Sequence, residues 1–194
     1  MTMHRIRADR DNFLMFYITP QELRSKMGRT CRYNIDRTPK AQPDWVTPDA
    51  VFKQDPQMKG ADKLPDISYW TTSHMVLNQK AYNVLSSHLK PYGEFLPVNV
   101  EGKPYYIFNT LKLVDESFIN LDMSEREFEG EGELKMQVGL HKLKFKEVRL
   151  KDTLVFKTEY DTYLNIFCGD EFKKMVEMAG LTGLLFKEDL ASIF

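Results

Sequence analysis

No uninterrupted apolar run in this chain is longer than Phe13–Ile18, and that limits what it can build. Six residues are far short of the roughly 20 that a membrane-spanning helix requires. A run this short, apolar at every position, predicts a buried strand. At 194 residues there is enough chain for one sizeable core, or for a core with an attached lobe.

Charge narrows the choice of partners. Lys and Arg number 27 against 28 for Asp and Glu, so nothing draws the whole molecule to nucleic acid or to an anionic membrane. Neither is expected as a partner. The first residues are polar, with Arg5, Arg7 and Arg10, and lack the apolar stretch of a secretory signal. Cys31 and Cys168 lie far apart and read as free thiols of a reducing compartment. The expected location is the cytoplasm.

Two regions follow from the punctuation. In residues 1–65, Phe13–Ile18 is followed by Pro20, which opens a short helix over Gln21–Met27 that Gly28 stops. From 29 to 65 come five of the nine prolines, and proline removes a backbone donor and restricts its neighbour. This predicts an irregular, proline-rich arm packed on the main domain through Trp45, Val51 and Phe52. Residues 66–194 are more regular. Asn78 is placed to cap a helix carrying Ala81, Val84, Leu85 and His88 or Leu89 at helical spacing, ended by Pro91 and Gly93. Phe95–Val100 and Tyr105–Leu113 read as a hairpin turning at Glu101-Gly102. Leu164–Phe167, Asp170–Ala179 and Leu184–Phe186 read as strand, helix and strand. Val76–Val100 and Ile166–Phe186 thus share one order: strand, helix, glycine, strand. The fold class predicted is α+β, a mostly antiparallel sheet with a few short helices packed on it.

Catalytic signatures are missing from the sequence. None of His4, His74, His88 and His141 stands at metal-ligand spacing from another. There is no Gly-x-Ser-x-Gly elbow and no glycine-rich phosphate loop. Cys168 precedes a helix start, where a dipole can lower a thiol pKa; its apolar neighbours favour an inert core residue. No catalytic, cofactor-binding or metal-binding residue is assigned. The rival reading, a small hydrolase or transferase, needs Cys168, His141 and the carboxylates between Asp122 and Glu133 to meet in one cleft.

Those carboxylates are the sharpest local feature: Asp122, Glu125, Glu127, Glu129, Glu131 and Glu133 against one base, Arg126. Gly130 and Gly132 argue against a helix, and Lys142, Lys144 and Lys146 soon alternate with Leu143 and Phe145 as on a half-buried strand. One reading is a solvated loop beside a lysine-blunted edge strand. The other is a mobile acidic finger for a basic cleft on another protein. Glu125, Glu127, Glu129, Glu131 and Glu133 are the candidate contacts, with Trp45 and Trp70 as candidate aromatic anchors.

Several blocks in residues 66–194 resemble the MXAN-type immunity-protein domain of bacterial polymorphic toxin systems, once catalogued as a domain of unknown function. They are Pro65-Asp66-Ile67, Val76–Leu85, Glu94-Phe95-Leu96-Pro97-Val98, Pro104-Tyr105-Tyr106-Ile107-Phe108-Asn109, Ile119-Asn120-Leu121-Asp122, and Ile166-Phe167 through Gly180-Leu181-Thr182-Gly183-Leu184-Leu185-Phe186. The resemblance implies a protein that binds and neutralises a cognate toxin encoded by a neighbouring gene. It implies no catalytic residues and no cofactor.

Overall fold

The computed structural model describes residues 2–29, 31, 38–58 and 60–191. Its N-terminal elements are β1 (Met3–Ala8), β2 (Met15–Tyr17), α1 (Pro20–Met27) and β3 (Asp49–Lys53). Next come β4 (Ile67–Trp70), β5 (His74–Leu77), α2 (Gln79–Leu89), β6 (Gly93–Val100), β7 (Lys103–Thr110) and β8 (Leu113–Val114). The rest is β9 (Glu125–Glu129), β10 (Met136–Lys142), β11 (Val155–Thr158), β12 (Ile166–Gly169), α3 (Asp170–Met178) and β13 (Leu184–Lys187).

Local chemistry sets the helix ends. Thr19 Oγ1 accepts from the Glu22 amide ahead of Pro20, and Asn78 Oδ1 accepts from the Ala81 amide at 2.9 Å. Each satisfies a donor that the first turn leaves without an intrahelical partner. Asp170 and Glu171 place negative charge at the positive end of α3.

The strands form a six-stranded sheet, β2-β3-β6-β7-β5-β4, a five-stranded sheet, β13-β1-β12-β11-β8, and a separate β9–β10 hairpin. Pairing is antiparallel except where β3 meets β6 and β8 meets β11. The α+β reading of mostly antiparallel sheets with short helices is borne out, and the two large sheets approach a closed barrel.

The shared order of Val76–Val100 and Ile166–Phe186 becomes shared topology. In β5-α2-β6 the two strands flank β7; in β12-α3-β13 they flank β1. Each is a split β-α-β unit whose middle strand runs antiparallel to both neighbours. Ala81, Leu85 and Leu89 of α2 join Phe172 and Val176 of α3 in one core with Ile6, Met75, Phe108 and Ile166.

Asp66 ties the two units together. Its carboxylate accepts from Asn78 Nδ2 and Lys80 Nζ, each at 2.9 Å, and from the Thr182 amide at 3.1 Å. Burial alone would raise its pKa, but Lys80, Asn78 and Thr182 hold it below the usual carboxylate value. The Ile67 amide then donates to the Thr182 carbonyl at 3.0 Å. Gly183, at φ +102°, has no room for a side chain: a Cβ there would overlap the Ile67 carbonyl oxygen and Pro65. The Pro-Asp-Ile and Gly-Leu-Thr-Gly blocks are therefore two halves of one joint.

The polar N-terminus supplies β1, a central strand paired on both sides, with His4 and Arg5 buried in it. Two expectations need correcting. The proline-rich arm is not irregular throughout: Asp49–Lys53 is β3, hydrogen-bonded between β2 and β6. Its residues 30, 32–37 and 59 lie outside the described residues. The acidic segment is not a loose loop, since Glu125–Glu129 is the strand β9.

Candidate functional site

The β9–β10 hairpin hydrogen-bonds to neither large sheet, so side chains hold it in place. The Arg126 guanidinium lies 4.0 Å from the centre of the Tyr160 ring, and its Nε donates to the Tyr160 carbonyl at 3.3 Å. The far end of the same side chain pairs with Glu116. From β10, Gln137 Nε2 donates to that Tyr160 carbonyl at 2.8 Å, and Leu140 inserts beside Phe145 and Phe156. Arg126, Gln137 and Leu140 therefore mark the inner side of the hairpin.

Side chains alternate along a strand, so Glu125, Glu127 and Glu129 share the opposite face. Across the ladder they meet Lys142, Gly139 and Met136. Glu125 and Glu129 are exposed and Glu127 is half-buried; Glu131, also exposed, sits in the connection beside Gly130, which adopts φ +84°. The side chain of Glu133 lies outside the described residues. None of these four described carboxylates is in an ion pair among the described residues. Exposed apolar side chains also occur in this part of the chain: Met136 lies across the ladder from Glu129, and Leu121, Met123, Phe128, Leu134 and Val138 are exposed in the neighbouring sequence.

The tryptophans lie elsewhere. Trp70 is 4% exposed, in the core beneath the six-stranded sheet. Trp45 packs edge-on against it, 6.3 Å between ring centres, and donates from Nε1 to the Pro97 carbonyl at 2.8 Å. Trp70 offers no surface to a partner as the chain stands, while Trp45 is half-buried above it. The structure groups the glutamates on one hairpin and the tryptophans with each other.

The constellation needed by an enzyme reading does not assemble. Cys168 is fully buried in β12, and burial pushes its thiol well above the ordinary value, whereas His141 is exposed on β10. Among the described residues no three His, Cys, Asp or Glu side chains cluster to hold a metal ion.

A polar cleft went unnoticed in the sequence. It holds about 360 Å3 and lies between β1, the turn after β4, the inner side of β10 and residues 161–165. Arg5, Tyr69, Thr71, Gln137, Asp161 and Asn165 line it. Arg5 is 3% exposed, and its Nε and Nη2 have no hydrogen-bond partner among the described residues. Asp161 is 4% exposed; Oδ2 accepts from the Asn165 amide at 3.0 Å and from Asn165 Nδ2 at 3.1 Å, while Oδ1 has no partner. Burial raises the Asp161 pKa to about 6, against the opposing pull of Asn165, Leu164 and Lys157. An unpaired buried polar atom costs about 1–3 kcal/mol, so such atoms gathered at one cleft mark a functional site more readily than a core. No pattern in the sequence marks it, since Arg5 and Asp161 meet only in the fold.

The model of the immunity protein family Imm11 matches residues 13–189. The chain belongs to the Imm11 immunity protein family. The match bears out the resemblance seen in residues 66–194 and extends it through β2, α1 and β3, where sequence blocks were not recognisable. No curated protein matches the chain. Membership of Imm11 supports an immunity role and protein binding in general. No helix among the described residues is long and apolar enough to cross a membrane.

Proposed function

We propose that this Imm11 member binds a cognate toxin encoded by a neighbouring gene and neutralises it in the cytoplasm, using the outer face of the β9–β10 hairpin. The observation that carries the proposal is the row of Glu125, Glu127 and Glu129 on one face of a strand, with no ion pair among the described residues. Carboxylates presented this way on an element apart from both large sheets suit a basic surface, where complementary charge speeds association and sets specificity. Met136, exposed and opposite Glu129 on the ladder, supplies apolar contact next to them. A stable complex would bury about 1,600 Å2 in total, more than the hairpin alone offers, so neighbouring surface such as Leu121 and Met123 takes part. Neutralisation would follow from covering the toxin's active site or a surface it needs.

Co-expression with the neighbouring toxin tests this. The expected result is restored growth together with a complex that survives size-exclusion chromatography. Toxicity without rescue and without binding, for every toxin gene adjacent to this one, would sink it.

A further inference from the structure

We infer that the cleft behind the hairpin is a binding site for a carboxylate that carries a hydrogen-bond donor beside it, as a free amino acid or the C-terminal residue of a peptide does. The inference stands apart from the toxin reading, since it concerns the inner side of β10 and needs no partner protein.

The two unpaired nitrogens of Arg5, Nε and Nη2, lie on the same side of the guanidinium fork. That edge matches the two oxygens of one carboxylate in a bidentate pair. Asp161 lines the same cleft, and its buried Oδ1, without a partner among the described residues, calls for a donor. A ligand with an anionic fork at one end and an N–H group at the other satisfies both. Asp161 also selects against a multiply charged anion such as phosphate, because its own negative charge faces the ligand. The rest of the lining agrees with a small molecule: Ile6, Ala8, Leu140 and Leu164 are apolar, and Thr71, Thr162, Gln137 and Asn165 offer further polar contacts. A volume of about 360 Å3 falls at the lower end for ligand pockets, which suits one or a few residues rather than a folded domain.

Backbone conformation adds an independent mark. Thr71 has φ +60° and Thr162 φ +56°, and both line the cleft. A β-branched residue rarely adopts the left-handed region, and such strain concentrates where a site is held in shape. Arg5 is carried by β1, which is paired on both sides, so its backbone is fixed and its side chain is buried at the cleft before any ligand arrives.

The test uses the purified full chain and a thermal shift assay with each of the twenty free amino acids, then trialanine and its C-terminal amide, with acetate and inorganic phosphate as comparisons. At least one free amino acid or trialanine should raise Tm by about 5 °C at roughly a hundredfold excess over its Kd. If the site serves free amino acids, trialanine gives no shift; if it serves chain ends, trialanine binds and its amide does not. Val138→Trp, at an exposed position on the cleft's edge, should fill the cleft without disturbing the core and weaken binding by about tenfold or more. Asp161→Asn should lower affinity for a ligand with an ammonium group and leave acetate unaffected. No shift with any probe, binding untouched by Val138→Trp, or inorganic phosphate binding as well as the best carboxylate would each overturn the inference.

Discussion

The paired β-α-β core and the β9–β10 hairpin are both built from short strands, yet they are held by opposite means. In the core, β7 and β1 are hydrogen-bonded along both edges and packed under helices, so most of their side chains are buried. In the hairpin, two strands pair only with each other, and Arg126, Gln137 and Leu140 fasten them to Tyr160 and the apolar cluster behind. The contrast shows where the chain can change. Substitutions in the core should alter whether it folds; on the proposed function, substitutions on the hairpin should alter what it meets.

The largest effect should come from the core. Phe108, in the middle of β7, is fully buried and packs its ring against Phe95 at 5.0 Å. Phe108→Ala removes a ring from both the α2 side and the sheet, and should destabilise the protein by about 3–5 kcal/mol. Urea unfolding followed by circular dichroism measures this. A loss under 1 kcal/mol would mean that the two units are far less tightly packed than their burial indicates.

How much of this contrast was readable beforehand depends on what each residue's neighbours reveal. Asn78, Pro91 and the Glu101-Gly102 turn announced α2 and the β6–β7 hairpin, because caps and turns act through the residues beside them. β1 could not be read, because Met3-His4-Arg5-Ile6 mixes apolar and charged side chains and its burial comes from β12 and β13, at the far end of the chain. β3 was hidden by the prolines around it, although none falls within Asp49–Lys53. For the site, the acidic row was visible as composition, but its single face became visible only once pairing with β10 made it a strand. The cleft was invisible, since Arg5 and Asp161 are brought together only by folding.

Acid should separate the core from the hairpin more finely. His74 on β5 is 3% exposed, and burial first, then nearby Lys157, lowers its pKa to about 3. The folded chain keeps this ring neutral while the unfolded chain takes up a proton near pH 6.5. Stability is therefore full above pH 6.5 and falls as pH drops toward 3, by at most ~1.4 kcal/mol per pH unit. Asp161 works the other way. Its folded carboxyl titrates near 6 and its unfolded one near 3.8, so it gives back stability as pH falls from 6 to 4. Urea midpoints between pH 7 and 4 should fall less steeply in His74→Gln and more steeply in Asp161→Asn. Unchanged slopes in both would show that these buried groups titrate as they do in water.

The fastening between the two regions is the next weakest point. Arg126→Ala removes the contact with the Tyr160 ring and one hydrogen bond to its carbonyl, while Gln137 still holds the other strand. The expected loss is about 1 kcal/mol of global stability. Amide exchange should rise at residues 125–129 and 136–140 and stay unchanged in β7 and β1. Equal acceleration in both regions would mean that the hairpin unfolds only with the core.

The smallest effect on stability should accompany the largest effect on recognition. Glu125, Glu127 and Glu129 stand two residues apart on one face, so their charges repel along the strand and none is offset by an ion pair among the described residues. Replacing all three with Gln keeps their length and hydrogen-bonding reach and removes that repulsion. Stability should therefore stay within about 0.5 kcal/mol or rise slightly. Binding should respond in the opposite sense, because charge at an interface rim acts mainly on the association rate. Surface plasmon resonance with the toxin should show a slower on-rate, a nearly unchanged off-rate, and a weaker dependence on salt than the unaltered protein. A triple variant that binds with the same on-rate at low salt would place the partner on a different face, and the hairpin would then be only the wall of the cleft behind it.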